Sequence, residues 1–390
     1  VTSPRSGAGA DGVRRRNLSN VLTLVHRHGA LSRAELTRRT ALSRSTIKDL
    51  VEELVARGLA EELPAAPVSQ VGRPSPIVRP GRRVVAATVI PEVDAVTIGV
   101  VAMGGTVLEV VRCPTESVPT PDEAVSVAAE IVQRIARTLP ETSALTAIGV
   151  AVPGLVHSPE STVQLAPNLD WHDVKIGELL SAATGLPVYA ANDANAGAIA
   201  EHLFGRHHGA DHLIYVNGGT TGIGAGFVVA GGLLQGVAGY AGELGHTFVG
   251  GAAPCHCGST GCLETEVTQA PLARLIAESE RVEPGDAQPC PTDAERDVLQ
   301  RQARSLAIAL GNAINMLNPR LVVLGGFLRA FPAYAGAILR EELSRRSMGG
   351  PRDLVRIVPA TLGGETVVIG AAELAFAPVL ADPGSVGGSV

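Results

Sequence analysis

The 390-residue chain has no apolar run long enough to cross a bilayer and no basic-then-apolar leader, which predicts a cytoplasmic protein that engages no membrane. It has only five cysteines and no evident internal repeat, which argues against a disulfide-built scaffold and agrees with a reducing compartment. Charged residues are few as well, 18% against 45% hydrophobic, so the chain can bury a large core spread over two or three domains. Cys113 and Cys290 carry no assignable role and read as small buried or loop thiols.

What charge there is lies unevenly. Val1 to Arg82 hold 14 Lys and Arg against 7 Asp and Glu, a net +7, which leaves −13 on the remainder. A basic head on an acidic body points to polyanion binding at one end and a different task at the other.

Residues 1–16 are rich in Gly, Ala, Ser and Arg and are expected to form a disordered basic tail. Leu18, Val21, Leu22 and Val25 then fall at i, i+3, i+4 and i+7 and predict a helix from near Asn17 that ends at His28-Gly29. Ser32 and Glu35 have the spacing of a capping box that opens a second helix, and Ser43 caps a third with Ile47, Leu50, Val51 and Leu54 inward. Two short helices across a tight turn make a helix-turn-helix, whose last helix enters a major groove by its N-terminal residues. Arg44, Ser45, Thr46 and Lys48 are the base-reading candidates, with Ser32 and Arg33 on the preceding helix beside them. Extended segments near Leu59–Leu63 and Val71–Val78 would form a wing whose Gly-Arg-Pro tip offers Arg73 to a minor groove. A plain proline-stiffened linker is the competing reading of that stretch.

The 23 residues from Gly242 to Glu264 put His246, Cys255, Cys257 and Cys262 into one glycine-rich loop. One imidazole and three thiolates suit tetrahedral zinc with no open position, so one structural zinc per chain is expected. A disulfide reading competes, but Cys255 and Cys257 are too close in sequence to bridge comfortably.

From Arg83 onward β-like runs alternate with helices, which predicts α/β layers. Strands near 147–152 and 188–191 end at Pro153-Gly154 and Asn192-Asp193, and strand ends are where open α/β sheets bind ligands.

Val152-Pro-Gly-Leu-Val156, the segment NDANAGAIAE (192–201), TGIGAG (221–226), AGELGH (241–246) and CHCGSTGCLE (255–264) together resemble the ROK family of bacterial sugar kinases and sugar-responsive repressors. The resemblance covers about residues 83–376, and the helix-turn-helix ahead of it matches the repressor branch. It implies an actin-like, ribonuclease-H-like α/β fold of two lobes with a sugar between them. It also implies sugar contacts at Asn192, Asp193, Glu243, His246 and Glu264, with Gly154 and Asn168 lining the same cleft. Carboxylates and an amide suit adjacent hydroxyls that both donate and accept. His246 would serve zinc with one ring nitrogen and a sugar with the other.

The organisation expected on this basis is a tail over 1–16, a winged helix-turn-helix and linker over 17–82, an N-lobe over 83–192, a C-lobe with the zinc loop over 193–363, a helix at 364–376 returning to the N-lobe, and a flexible tail over 377–390. The kinases place a general base at the Asp193 position and need a first phosphate loop of the form DxGxT. Here the corresponding stretch reads Ala87 to Thr97 with Pro91 and Glu92, with no aspartate at the strand end and no glycine following it, and Thr220 alters the second loop. ATP binding is therefore expected to be lost, leaving Asp193 vestigial and no catalytic residue.

The resulting expectation is a non-enzymatic regulator, a repressor, that binds double-stranded operator DNA and a sugar or sugar phosphate as a homodimer or dimer of dimers. Ligand is expected to close the lobes and change the spacing of paired winged helices. An active ATP-dependent sugar kinase with an added DNA-binding head is the main alternative. A body that docks another protein is a third.

Overall fold

The computed structural model describes residues 7–64, 75–219, 221–281 and 289–386. Its first helix, α1 (Gly7–His28), begins at Gly7 rather than near Asn17. Alanine and arginine are strong helix formers, and Arg14 reaches from this early part of the helix to Glu53 at 2.6 Å, so residues 7–16 are not a tail. Leu18, Val21, Leu22 and Val25 are at most 3% exposed and form the inner face of α1.

Strand β1 (Leu31–Ser32) leads into α2 (Arg33–Thr40), whose N-cap Ser32 accepts from the Glu35 N–H at 3.1 Å. The reciprocal half of the capping box is replaced, because the Glu35 carboxylate turns to Arg39 at 3.1 Å. Ala41 closes α2 in the left-handed region, and Ser43 caps α3 (Arg44–Ala56), burying Ile47, Leu50, Val51 and Leu54. Strands β2 (Ala60–Leu63) and β3 (Ile77–Pro80) pair antiparallel, and β1 joins β3 to complete a three-stranded sheet beside the helices. Arg73, the expected wing tip, lies outside the described residues.

A second sheet follows in the order β11-β7-β4-β5-β6. It contains β4 (Val84–Pro91), β5 (Ala95–Ala102), β6 (Thr106–Pro114), β7 (Ala144–Val152) and β11 (Val188–Asn192), with α4 (Pro121–Thr138) before β7. β4 runs antiparallel to β5 and parallel to β7. β4 and β5 are buried along their whole length, in keeping with nearly continuous apolar runs interrupted by Thr88 and Thr97. Between β7 and β11 come a small antiparallel sheet of β8 (Leu155–His157), β9 (Thr162–Ala166) and β10 (Trp171–Val174), then α5 (Ile176–Thr184). The single tryptophan, Trp171, is 1% exposed in β10.

Next come α6 (Asp193–Phe204), β12 (Leu213–Gly218), β13 (Ile223–Val229), β14 (Gly232–Leu233), α7 (Leu263–Glu266), α8 (Ala270–Ser279), α9 (Asp293–Leu317), β15 (Leu321–Gly326), α10 (Phe331–Arg346), α11 (Gly349–Leu354), β16 (Arg356–Pro359) and α12 (Thr366–Ala381). The third large sheet has the order β14-β13-β12-β15-β16, with β12 antiparallel to β13 and parallel to β15. Leu306, Leu310 and Ile314 of α9 pack with Phe331 and Leu339 of α10 in the core that also holds Ile214, Val216, Val322 and Leu324 of this sheet.

The chain divides into two compact units, one of residues 1–151, 175–190 and 371–390, the other of 152–174 and 191–370. The segment 152–174 thus departs from the boundary expected at 192/193. The reason is local: Asn192 donates to the Gly154 carbonyl at 3.1 Å, and Asn168 reaches the Thr221 carbonyl. The head is built into the first unit. His26 of α1 is 1% exposed, its Nε2 lies 2.9 and 3.0 Å from the two Glu373 oxygens of α12, and its Nδ1 accepts from the Gly104 N–H. That backbone donor fixes the tautomer, leaving the Nε2 proton for the carboxylate. The 377–390 stretch is not a free tail as far as it is described, since α12 runs to Ala381 and Arg57 donates to the carbonyls of Gly384 and Val386.

One segment, Gly363–Ala381, is long and apolar enough by composition to span a membrane, contrary to the expectation of no such run. Just over half of it is buried, and it carries the buried Glu373 and the internal Pro378, as a core helix can.

Candidate metal centre and ligand cleft

A cleft of roughly 270 Å³, lined entirely by residues of the second unit, opens where β11 gives way to α6. That volume suits one small molecule. Gly154, Asn168, Asn192, Asp193, Glu243, His246 and Glu264 all line it.

Each side chain is placed by a local cause. Asn192 is the N-cap of α6: its Oδ1 accepts from Ala194 and Asn195 N–H groups at 2.9 and 3.1 Å while its Nδ2 holds Gly154. Asp193, the first helical residue, takes the Ala194 N–H at 2.8 Å. Burial pushes its carboxyl up to about 6, and that backbone bond offsets part of the rise. Glu243 opens a 3₁₀ turn over Leu244–His246, and its carboxyl is raised first by burial, then by the charges of Asp193 and Glu264. The turn needs Gly245, because a Cβ there would run into the Ile223 carbonyl.

His246 stands at a junction. Its Nε2 is 3.9 Å from the Glu243 carboxylate, and its Nδ1 is 3.5 Å from Cys255 Sγ. Cys257 and Cys262 sulfurs lie 3.7 Å apart, and the donor atoms of His246, Cys255, Cys257 and Cys262 all fall within 4.8 Å of one another. A tetrahedral ion with bonds of about 2.3 Å to sulfur and about 2.05 Å to nitrogen sets S···S near 3.8 Å and S···N near 3.6 Å. The four groups therefore fit such an ion. All five cysteines are free, and no disulfide competes for the loop.

Burial pushes the Cys255 and Cys262 thiols up, whereas the Ser259 N–H holds Cys257 down. A bound divalent cation would deprotonate all three. A second set, His246, Cys255, His256 and Glu264, is equally close. The three-sulfur set is the better fit to a soft, closed centre, because Glu264 sits on the cleft side at 7% exposure.

His256, Asn217 and Thr221 also line the cleft and were not among the sequence candidates. The signal for His256 was available, a histidine between two metal-spaced cysteines. Asn217 and Thr221 flank a glycine turn whose side-chain directions only the β12–β13 pairing fixes.

In the head, Arg44, Ser45 and Lys48 are exposed at the start of α3 and Thr46 is partly so. Two of the head candidates are otherwise engaged. Arg33 pairs with Glu62 at 2.6 Å and is only 19% exposed, and Ser32 spends its hydroxyl on the α2 cap. For Arg33 the cause is non-local, since β1 and β2 flank β3 and bring Glu62 beside the start of α2; for Ser32 it is the local cap.

A helix-turn-helix head and two α/β units with the same sheet order, one holding a polar cleft beside a His-Cys₃ cluster, define a regulator-like architecture on an actin-like body. The chain belongs to the ROK family, whose sequence pattern matches residues 93–377. It is 26% identical over 384 residues to the xylose repressor of Caldicellulosiruptor bescii, covering 93% of this chain and 96% of that one. It is 31% identical over 306 residues to the glucokinase of Streptomyces coelicolor, covering 72% of this chain and 94% of the relative. Among solved structures it is similar to a ROK family transcriptional regulator homologous to the E. coli MLC protein, with a TM-score of 0.74, 25% identity, and coverage of 95% and 97%. The repressor and regulator matches leave so little of the chain uncovered that they include the helix-turn-helix head.

Proposed function

We propose that this chain is a transcriptional repressor that binds operator DNA through its helix-turn-helix and senses a neutral sugar in the cleft of a body that no longer transfers phosphate. The observation that carries the reading is the cleft's donor set. Asp193, Glu243, Glu264 and His246 converge there with Asn168 and Asn192, and among the described residues the lining contains neither lysine nor arginine. Three carboxylates without a cation repel a phosphorylated ligand and suit the paired hydroxyls of a neutral sugar. Xylose and glucose, the sugars in the names of the repressor and glucokinase relatives, are the first probes to try, as D-xylose and D-glucose.

Zinc is the ion proposed for His246, Cys255, Cys257 and Cys262. It would fix the ring plane of His246 so that Nε2 stays on the sugar side, which makes the metal a shaping element. Glu243 and Glu264 then accept from sugar hydroxyls, and Asn168 holds the glycine loop through Thr221. On the DNA side, Arg44, Ser45, Thr46 and Lys48 reach bases, the remaining basic residues meet phosphate, and a homodimer presents two such helices to half-sites. Sugar binding changes their spacing.

A kinase reading is disfavoured by the first hairpin of the β4–β5 pair. Pro91 has no N–H to offer a phosphate, and Glu92 and Asp94 are both tied to Arg112, at 3.1 and 2.7 Å. The test is a DNA-shift titration of the purified chain on operator fragments selected from random DNA, repeated with each sugar. Sequence-specific binding altered by at least one neutral sugar supports the proposal; no specific shift, or indifference to every sugar, refutes it. Sugar-dependent ADP release would establish the kinase instead.

A further inference from the structure

Between Cys255 and Cys257 stands His256, which the three-sulfur metal set does not use. Its ring lines the cleft, stands edge-on to His246 with centroids 5.1 Å apart, and remains 35% exposed. Its Nδ1 lies 3.2 Å from Glu264 Oε1. The other polar neighbours of that oxygen are Cys255 Sγ at 2.9 Å and His246 Nδ1 at 3.5 Å, and a metal ion would claim both of those atoms. His256 is then the neighbour left to hold the carboxylate.

The far side of Glu264 is equally confined. A Cβ at position 222 would sit 2.5 Å from Oε2, so glycine there is what lets the carboxylate lie against the β12–β13 turn. Glu264 is thus clamped between His256 and the glycine loop at 7% exposure. Apart from this ion-pair contact through Nδ1, no polar partner of the His256 ring is found among the described residues, which leaves Nε2 available at the cleft.

We propose that His256 is a specificity-determining residue of the cleft, holding Glu264 through Nδ1 and taking one sugar hydroxyl through Nε2. This rests on the sugar-sensing reading above. A ring nitrogen matched to a hydroxyl rejects the analogue that lacks it, because the buried polar groups are then left unpaired. Discrimination between sugars differing at one carbon is therefore set from the metal loop, by a residue that binds no metal.

The test is calorimetric titration of the zinc-loaded full chain and of His256→Ala, His256→Asn and His256→Gln with D-glucose, D-xylose and their monodeoxy analogues. Asparagine keeps a donor at the Nδ1 position, and glutamine keeps one at the Nε2 position. His256→Ala should weaken binding about 10- to 100-fold while keeping its zinc. The penalty for deleting one particular hydroxyl should vanish in His256→Ala and His256→Asn and survive in His256→Gln. Wild-type affinity and deoxy-sugar ranking in His256→Ala would overturn the proposal, as would an equal loss for every hydroxyl. Loss of zinc from the same variant would overturn it too, by making His256 a metal ligand. Failure of the wild type to bind any sugar would sink the sugar-sensing reading itself, whereas sugar binding by the wild type with the same affinities and ranking in the variants sinks this inference alone.

Discussion

The two five-stranded sheets have one topology and two chemistries. β4, β5, β6, β7 and β11 occupy the same order as β12, β13, β14, β15 and β16, and each sheet opens with an antiparallel hairpin followed by a parallel strand on the other side of the first. The hairpins differ. The first turns through Pro91, Glu92 and Asp94, with both carboxylates tied to Arg112. The second turns through Gly218, Gly219, Thr221 and Gly222, keeps a backbone bond from Gly219 N–H to the Gly222 carbonyl, and packs against Glu264. One hairpin is thus closed with charge, while its counterpart stays open as a wall of the candidate cleft; on the proposed reading, function resides in the turns and not in the sheet.

The comparison is broken most severely at the metal. Cys257→Ser should lose the ion and with it metal-coupled folding energy on the order of 10 kcal/mol, read as loss of zinc by elemental analysis and of sugar binding by calorimetry. Zinc loss with unchanged sugar binding would show that the glycine hairpin needs no metal to stay open, and full zinc retention would remove Cys257 from the ligand set.

The first unit has its own fixed point. Removing one partner of the buried His26–Glu373 pair, by His26→Ala, leaves a carboxylate uncompensated and should cost about 3–5 kcal/mol in denaturant titration. His26→Leu with Glu373→Leu should recover much of that. Loss of DNA binding in the single variant, with the fold retained, would tie the pair to the setting of the head.

A subtler effect belongs to Asp193. An ordinary aspartate ionises near pH 3.9, whereas this one does so at about 6. Between those values the unfolded chain has released a proton that the fold still holds, so the group stabilises the fold at low pH and that contribution is lost as pH rises through 6. Asp193→Asn should therefore raise stability by about 1–3 kcal/mol at pH 7–8, with the gain shrinking toward pH 4, as followed by melting across pH. The same variant should weaken sugar binding. A pH-independent difference would place the carboxylate in water.

The smallest effect is expected in the acidic hairpin. Glu92→Gly should leave sugar affinity within about twofold and restore no ADP release, since one glycine does not rebuild a phosphate loop. Restored turnover would mean that the hairpin alone had silenced a kinase.

The cleft's polar residues were legible through the family resemblance that their short turn motifs carry, not through spacing alone. The His246, Cys255, Cys257 and Cys262 set came from spacing alone, and its sulfur and nitrogen separations fit one ion. What escaped was non-local. His26 and Glu373 are 347 positions apart, and nothing in either neighbourhood announces the pair. Arg33 looked like a DNA-facing cation until β2 brought Glu62 against it. β6 was missed because it is a largely exposed edge strand, without the buried alternation that marks a core strand. The start of α1 was missed because its composition also fits a solvated tail, and non-local contacts, of Arg14 to Glu53 and Arg15 to Asp382, distinguish the two.

The most direct test uses the chain's own single tryptophan, Trp171, buried in β10 three positions beyond the cleft residue Asn168. Its fluorescence should change saturably as D-xylose or D-glucose is added to the zinc-loaded protein in the presence of Mg-ATP, with no ADP formed. Sugar-dependent ADP formation would contradict a sensor that no longer transfers phosphate, and a flat trace confirmed by calorimetry for both sugars would contradict their proposed place in the cleft.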